Sequence, residues 1–367
     1  MKHVDILMRQ AVSDKVFPGA VLLISKEDSI LFFEAYGKAN IFSQVPMTRD
    51  TLIDLASLTK PLSTTLAIMK LVQKGLLSLE QNLGLLLPGF ENTDKKAINI
   101  INLLVHNSGL PDYRPYYKKL CGLPFIDRRE VLYNMLLREA LIYSTGRKVI
   151  YSDIGFMILR QIIEYLSEKS LDDFVYDEIY RPLGLENLFY VNLNSSPPKK
   201  IFAATEVCEW RDALLEGVVH DENSYVMGGV EGHSGLFGTA ENIFRLLYEL
   251  LQNFYLKPGS GVFDKNLVSF FLKSHKGSHR AVGFDTPSAV NSSSGSLFSK
   301  KSVGHLGFTG TSFWMDLENS VIVILLTNRV HPSRANTRIR VFRPRLHDAV
   351  IKSVQAVNRP KAAKPQF

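Results

Sequence analysis

Two cysteines, Cys121 and Cys208, are all that the 367 residues contain. Two thiols frame no disulfide-stapled scaffold and no cysteine metal quartet, so a reduced, cytoplasmic setting is the expectation. Long apolar runs are missing too. No stretch approaches the ~20 residues that a membrane-spanning helix needs. Met1 to Lys15 mixes Lys2, Asp5, Arg9 and Asp14 among apolar residues at helical spacing. That pattern lacks the unbroken apolar segment and small-residue cleavage site of a secretory signal. There is no Gly-x-Ser-x-Gly elbow and no His-Glu-x-x-His helix. His220-Asp221-Glu222 with His233 is the single candidate metal cluster. Buried polar contacts around a loop explain it better than a metal does.

What is present describes an ordinary globular chain, 46% hydrophobic and 22% charged, with a net charge of +7. Its length suits two lobes with a substantial core. The densest basic stretch runs from Arg329 to Arg345 through Arg334, Arg338, Arg340 and Arg343. No aromatic ladder or helix-turn-helix signature accompanies it, so nucleic acid is not an expected partner. A solvated face with internal ion pairs is the reading.

After an N-terminal helix, Gly19–Ile24 and Ile30–Tyr36 read as a hairpin joined by the polar link Ser25 to Ser29. Thr311–Leu317 and Val321–Thr327 form a second hairpin about Glu318-Asn319-Ser320, and Leu346–Val357 a closing helix. Helical signals fill the interval: Leu62–Lys74, Ile98–His106, Arg129–Ala140, Asp153–Glu168, Leu171–Tyr180 and Ala240–Leu251. The expected class is α+β. An antiparallel sheet built from both chain ends (1–60 and 238–367) carries flanking helices, and a mostly helical lobe (61–237) is inserted, with the site where the lobes meet. Asn194–Lys200 and Asn291–Lys301 read as surface loops, and Asn358–Phe367 as a loose tail.

Ser57-Leu58-Thr59-Lys60 is the candidate nucleophile motif. Positions i and i+3 share a helix face. A lysine amine there can take the serine proton and leave a nucleophilic alkoxide. Chance supplies roughly one or two such matches in a chain this long. The second copy, Ser196-Pro197-Pro198-Lys199, is held extended by its prolines.

Two further segments supply partners. Tyr151-Ser152-Asp153 precedes an apolar helix, with Asp153 placed as its N-cap. The alternative to that purely structural role is a tyrosine acting as general base and then protonating the leaving group. His305-Leu306-Gly307 precedes the second hairpin on a sheet-edge strand, Lys301–Gly307, where a glycine lets backbone approach a ligand. The rivals rank lower: Tyr190-Val191-Asn192 heads into a proline-rich loop. His233-Ser234-Gly235 sits in a glycine-rich run, Gly228–Gly238, read as a tight connection or pocket wall.

These elements, in order, resemble the serine β-lactamase and penicillin-binding superfamily, in its class C branch of carboxypeptidases, aminopeptidases and esterases. Leu103–Pro111 and Gly75–Leu79 are similar to family segments as well. The resemblance covers roughly residues 5 to 355. It implies an acyl-enzyme on Ser57, with Lys60 beside it and Tyr151 relaying protons. It also implies an oxyanion hole from the backbone amides of Ser57 and Phe308, with no metal or organic cofactor required. Asp153, His305 and Gly307 would contact substrate, a small ester, a D-amino-acid peptide or a related amide. Two departures bear on specificity. Asp153 stands where the family usually has asparagine, and an ionised carboxylate only accepts. His305 stands for the common lysine and anchors a substrate carboxylate less strongly. Esters or small peptides with a cationic group near Asp153 are the expected substrates, rather than β-lactams. A true β-lactamase and a non-catalytic peptide or muropeptide binder are the alternatives.

Overall fold

The computed structural model describes residues 1–195, 199–275 and 278–357. Ser196 of the second Ser-x-x-Lys and the tail from Asn358 lie outside these residues. Both expected hairpins form, from Gly19–Lys26 with Ser29–Asn40 and from Ser312–Asp316 with Val321–Thr327. They join in one six-stranded sheet, where Leu23 pairs with Ile324. Val45–Pro46 lies at one edge and Ser302–Leu306 at the other, and every pairing is antiparallel. The architecture is α+β, an antiparallel sheet built from both chain ends with flanking helices. The first hairpin link is tighter than expected, because the strands continue to Lys26 and resume at Ser29.

The central strands are apolar without interruption because both faces are covered. Alternate residues point opposite ways. Leu22, Ile24, Val323 and Leu325 pack in one core with Val4 and Met8 of the helix Lys2–Ser13 and Leu346 and Val350 of the helix Ile339–Val357. Leu23, Ile322, Ile324 and Leu326 join the larger core, which holds the helices Thr65–Gln73, Asp153–Ser167 and Ala240–Phe254.

Three readings change. The closing helix begins at Ile339 and runs through Pro344. Short bonds hold its first turn ahead of the proline, Arg340 N to Thr337 O (3.0 Å) and Val341 N to Arg338 O (3.2 Å). A missing proline N–H costs less near a helix start. Second, the glycine-rich run is not only a connection. Leu236–Gly238 is the middle strand of a small sheet between Ile53–Asp54 and Leu188–Tyr190. Third, the helix expected from Ile98 shortens to Ile100–Leu104, opened by an Asn99–Asn102 capping box and followed by His106 at φ 60°.

Candidate active site

The serine lies in a single 3₁₀ turn, Ala56–Leu58. In that geometry positions i and i+3 eclipse, so Ser57 stands over Lys60. A π-turn, Lys60–Thr64, then leads into the helix Thr65–Gln73. Ala56, just before the serine, is left-handed at φ 47°, a conformation that persists only when its surroundings enforce it. They do. Its amide donates to Asp54 Oδ1 (2.8 Å), and its carbonyl accepts from Thr59 Oγ1 (2.6 Å). The other Asp54 oxygen accepts from the His220 amide at 2.7 Å.

Lys60 is fully buried, and its Nζ meets three oxygens: Ser57 Oγ (3.1 Å), the His233 carbonyl (3.1 Å) and Asp153 Oδ1 (2.7 Å). The ammonium donates to the first two and forms an ion pair with Asp153. Burial pulls the Lys60 pKa down, but its partners, the charge of Asp153 first among them, outweigh it, and the net direction is up. Tyr151 moves up as well, chiefly by burial, against the pull of Lys60. At neutral pH the pair is therefore an ammonium beside a neutral phenol. The ammonium also sits 4.7 Å from the Tyr151 ring centroid.

Asp153 is not the helix N-cap. Ser152 is, its Oγ accepting from the Gly155 amide at 3.2 Å, and Asp153 is the first helical residue. A hydroxyl one residue earlier reaches the free amide, which releases the carboxylate to pair with Lys60. The expected substrate cation thus finds this charge already neutralised. Behind Tyr151 stands His106, a buried residue that sequence reasoning placed only in a family-like segment. Its Nδ1 accepts from the Ser152 amide (3.0 Å), and its ring stacks on Tyr151 at 4.6 Å. Burial, then the charges of Arg280 and Lys60, hold it neutral.

His305 lies on the edge strand Ser302–Leu306, buried, with Nδ1 2.9 Å from the Leu306 carbonyl. Burial, opposed by Asp285 and aided by Lys60 and Arg280, drops its pKa to about 4. Gly307 brings this strand end onto the serine turn: a Cβ there would lie 2.0 Å from Thr311 Oγ1 and 2.6 Å from the Leu55 carbonyl. Ser57, Tyr151, His305 and Phe308 line one cavity of about 360 Å³, and Arg329, Arg340 and Arg343 form another part of its wall. The basic stretch is therefore not simply a solvated face. Arg329 and Arg343 are buried, and Arg343 Nη2 donates to the Gly310 carbonyl at 3.0 Å. Burial, with Arg329 adding to it, lowers Arg343 to about 10, which leaves it cationic.

A family model described as Beta-lactamase matches residues 4–343. The chain belongs to that family. An N-acetylmuramyl-L-alanine amidase of Bacillus subtilis (strain 168) is 33% identical over 90% of this chain and 81% of its own length. A protein of Escherichia coli (strain K12) named "Putative D-alanyl-D-alanine carboxypeptidase" is 32% identical over 90% of this chain and 82% of its own length. Among solved structures, the octameric penicillin-binding protein homologue from Pyrococcus abyssi superposes with a TM-score of 0.73 at 19% identity. That match covers 99% of this chain and 79% of the other. This β-lactamase-family chain is a serine hydrolase.

The two rivals take other places in the β-lactamase-family fold. Tyr190 is buried with its hydroxyl 2.8 Å from Ser63 Oγ. His233 supplies only its carbonyl to Lys60, and its Nε2 pairs with Asp221 at 2.9 Å. Asp54, Thr59 and His106 escaped the sequence reading because their partners are backbone atoms, which leave no motif. Among the described residues no group of three or more His, Cys, Asp or Glu could hold a metal, and no helix is long and apolar enough to cross a membrane.

Proposed function

We propose that Ser57 forms an acyl-enzyme with an amide or ester whose leaving group carries a carboxylate, as at the C-terminus of a short peptide. One arrangement carries the reading: Ser57 Oγ lies 3.1 Å from a buried lysine, in a cavity with three arginines in its wall. Arginine suits a carboxylate because its planar fork donates two parallel hydrogen bonds. The carboxypeptidase name of the Escherichia coli relative agrees with such a substrate.

Neither Lys60 nor Tyr151 is a free base at neutral pH, so the proton step is a relay. As Ser57 Oγ bonds to the carbonyl carbon, its proton passes to the Tyr151 oxygen. Tyr151 gives its own proton to the departing nitrogen or oxygen, and the acyl–leaving-group bond breaks. The Lys60 ammonium stabilises the negative charge that develops on either oxygen. The carbonyl oxyanion takes the amides of Ser57 and Phe308, and water reverses the relay to release the acid.

Intact-mass measurement after exposure to a fluorophosphonate tests the assignment. A single adduct is expected on the wild-type chain and none on Ser57→Ala. No adduct, together with no turnover of p-nitrophenyl esters or D-alanyl peptides, would establish the non-catalytic binder instead.

A further inference from the structure

A carbonyl oxygen can only accept, so the 2.9 Å contact with Leu306 O places the ring proton of His305 on Nδ1. In the neutral ring Nε2 is then a bare lone pair. It is buried and has no hydrogen-bond partner, a state that a buried polar atom rarely keeps without a reason. Trp314 and His347, which also carry orphaned nitrogens, do not border the catalytic cavity, and the orphaned Arg343 Nε that does is a donor, not an acceptor. His305 borders it, together with Ser57 and Tyr151.

Its surroundings keep the lone pair free. Burial, Lys60 and Arg280 disfavour a positive charge on the ring, against Asp285 and the Leu306 carbonyl, which favour one. His106 and the Tyr151 ring, 5.8 Å away, are neutral neighbours. The corner where the family commonly carries a lysine, a donor to anions, thus offers an acceptor. The cationic groups of this cavity's wall stand elsewhere, on Arg329, Arg340 and Arg343, and the Arg329 fork already donates to the Phe308, Arg334 and Asn336 carbonyls.

We propose that His305 Nε2 accepts a hydrogen bond from an N–H of the substrate's leaving group, so that the cavity selects an amino-acid leaving group by two features, a carboxylate on the arginines and an N–H on His305. This rests on the acyl-enzyme reading above and adds what the leaving group must carry beside its carboxylate.

Equilibrium binding to the Ser57→Ala chain provides the test, with D-alanine and propionate as probes. Both carry a carboxylate on a similar skeleton, and only D-alanine has an N–H. D-alanine should bind about tenfold more tightly. His305→Phe should bring the ratio near one, while His305→Gln, which keeps an acceptor, should preserve most of it. His305→Lys should push the ratio below one. Equal binding to the Ser57→Ala chain, no measurable binding of either, or a ratio that survives His305→Phe would overturn the proposal. Those results leave the Ser57 adduct of the wild-type chain untouched. Loss of that adduct would instead remove the acyl-enzyme reading.

Discussion

Asp153 is the residue whose chemistry departs furthest from a helix-start carboxylate. Its 2.7 Å contact with Lys60 opposes the burial that would otherwise strip the amine of its proton. Asp153→Asn removes that opposition, so the Lys60 pKa falls. The sign follows directly: the ammonium that supports the relay is lost at a lower pH. The alkaline limb of the kcat/KM profile should move down by at least about one unit. An unmoved limb would mean that Asp153 only decorates the first helical turn. Acyl-amide turnover should also rise relative to ester turnover, since asparagine regains an N–H donor.

At the scale of elements, the site depends on how closely the edge strand approaches the serine turn. Thr309 Oγ1 donates to the Asp54 carbonyl (2.7 Å) and Thr311 Oγ1 to the Leu55 carbonyl (3.0 Å), with Gly307 packed against Thr311 and that Leu55 carbonyl. These bonds set where the Phe308 amide stands relative to Ser57. Gly307→Ala places a methyl group at 2.6 Å from the Leu55 carbonyl, so the strand must withdraw. The proposed oxyanion role of the Phe308 amide predicts a loss on the order of 10²–10³ in kcat when that donor is displaced. The rate of Ser57 labelling should fall by that order while far-ultraviolet circular dichroism stays unchanged. A wild-type rate would show that the gap has slack.

Across the whole molecule, Glu206 ties the middle of the chain to its C-terminal part. It accepts from Arg334 Nε (2.7 Å) and meets His220 Nε2 at 3.1 Å, and Arg334 also reaches Glu222 at 2.7 Å. Burial raises the Glu206 pKa, but the bonds from His220 and Arg334 outweigh it and bring it down from 4.5 to about 2. A carboxyl depressed on folding contributes its stability above the unfolded pKa and loses it as pH falls toward the folded one. Thermal melting should therefore drop between pH 4.5 and about 2. Glu206→Gln should lower Tm at neutral pH and flatten that acid limb. A parallel acid limb in the variant would place the linkage elsewhere.

Local spacing made much of this protein legible without coordinates. Unbroken apolar runs from Gly19 to Ile24 and from Val321 to Leu326 specify strands buried on both sides. The three-residue step from Ser57 to Lys60 brings their side chains together in any tight right-handed turn. Pairings between distant segments were not legible. Lys60 and the His233 carbonyl are separated by 173 positions, and Asp54 and the Thr309 hydroxyl by 255. Only packing decided that Asp153 spends its charge on Lys60, that Arg329 and Arg343 turn inward, and that His305 keeps an unpartnered nitrogen. Sequence spacing governs neighbours on one element, whereas burial and protonation depend on what the other elements bring.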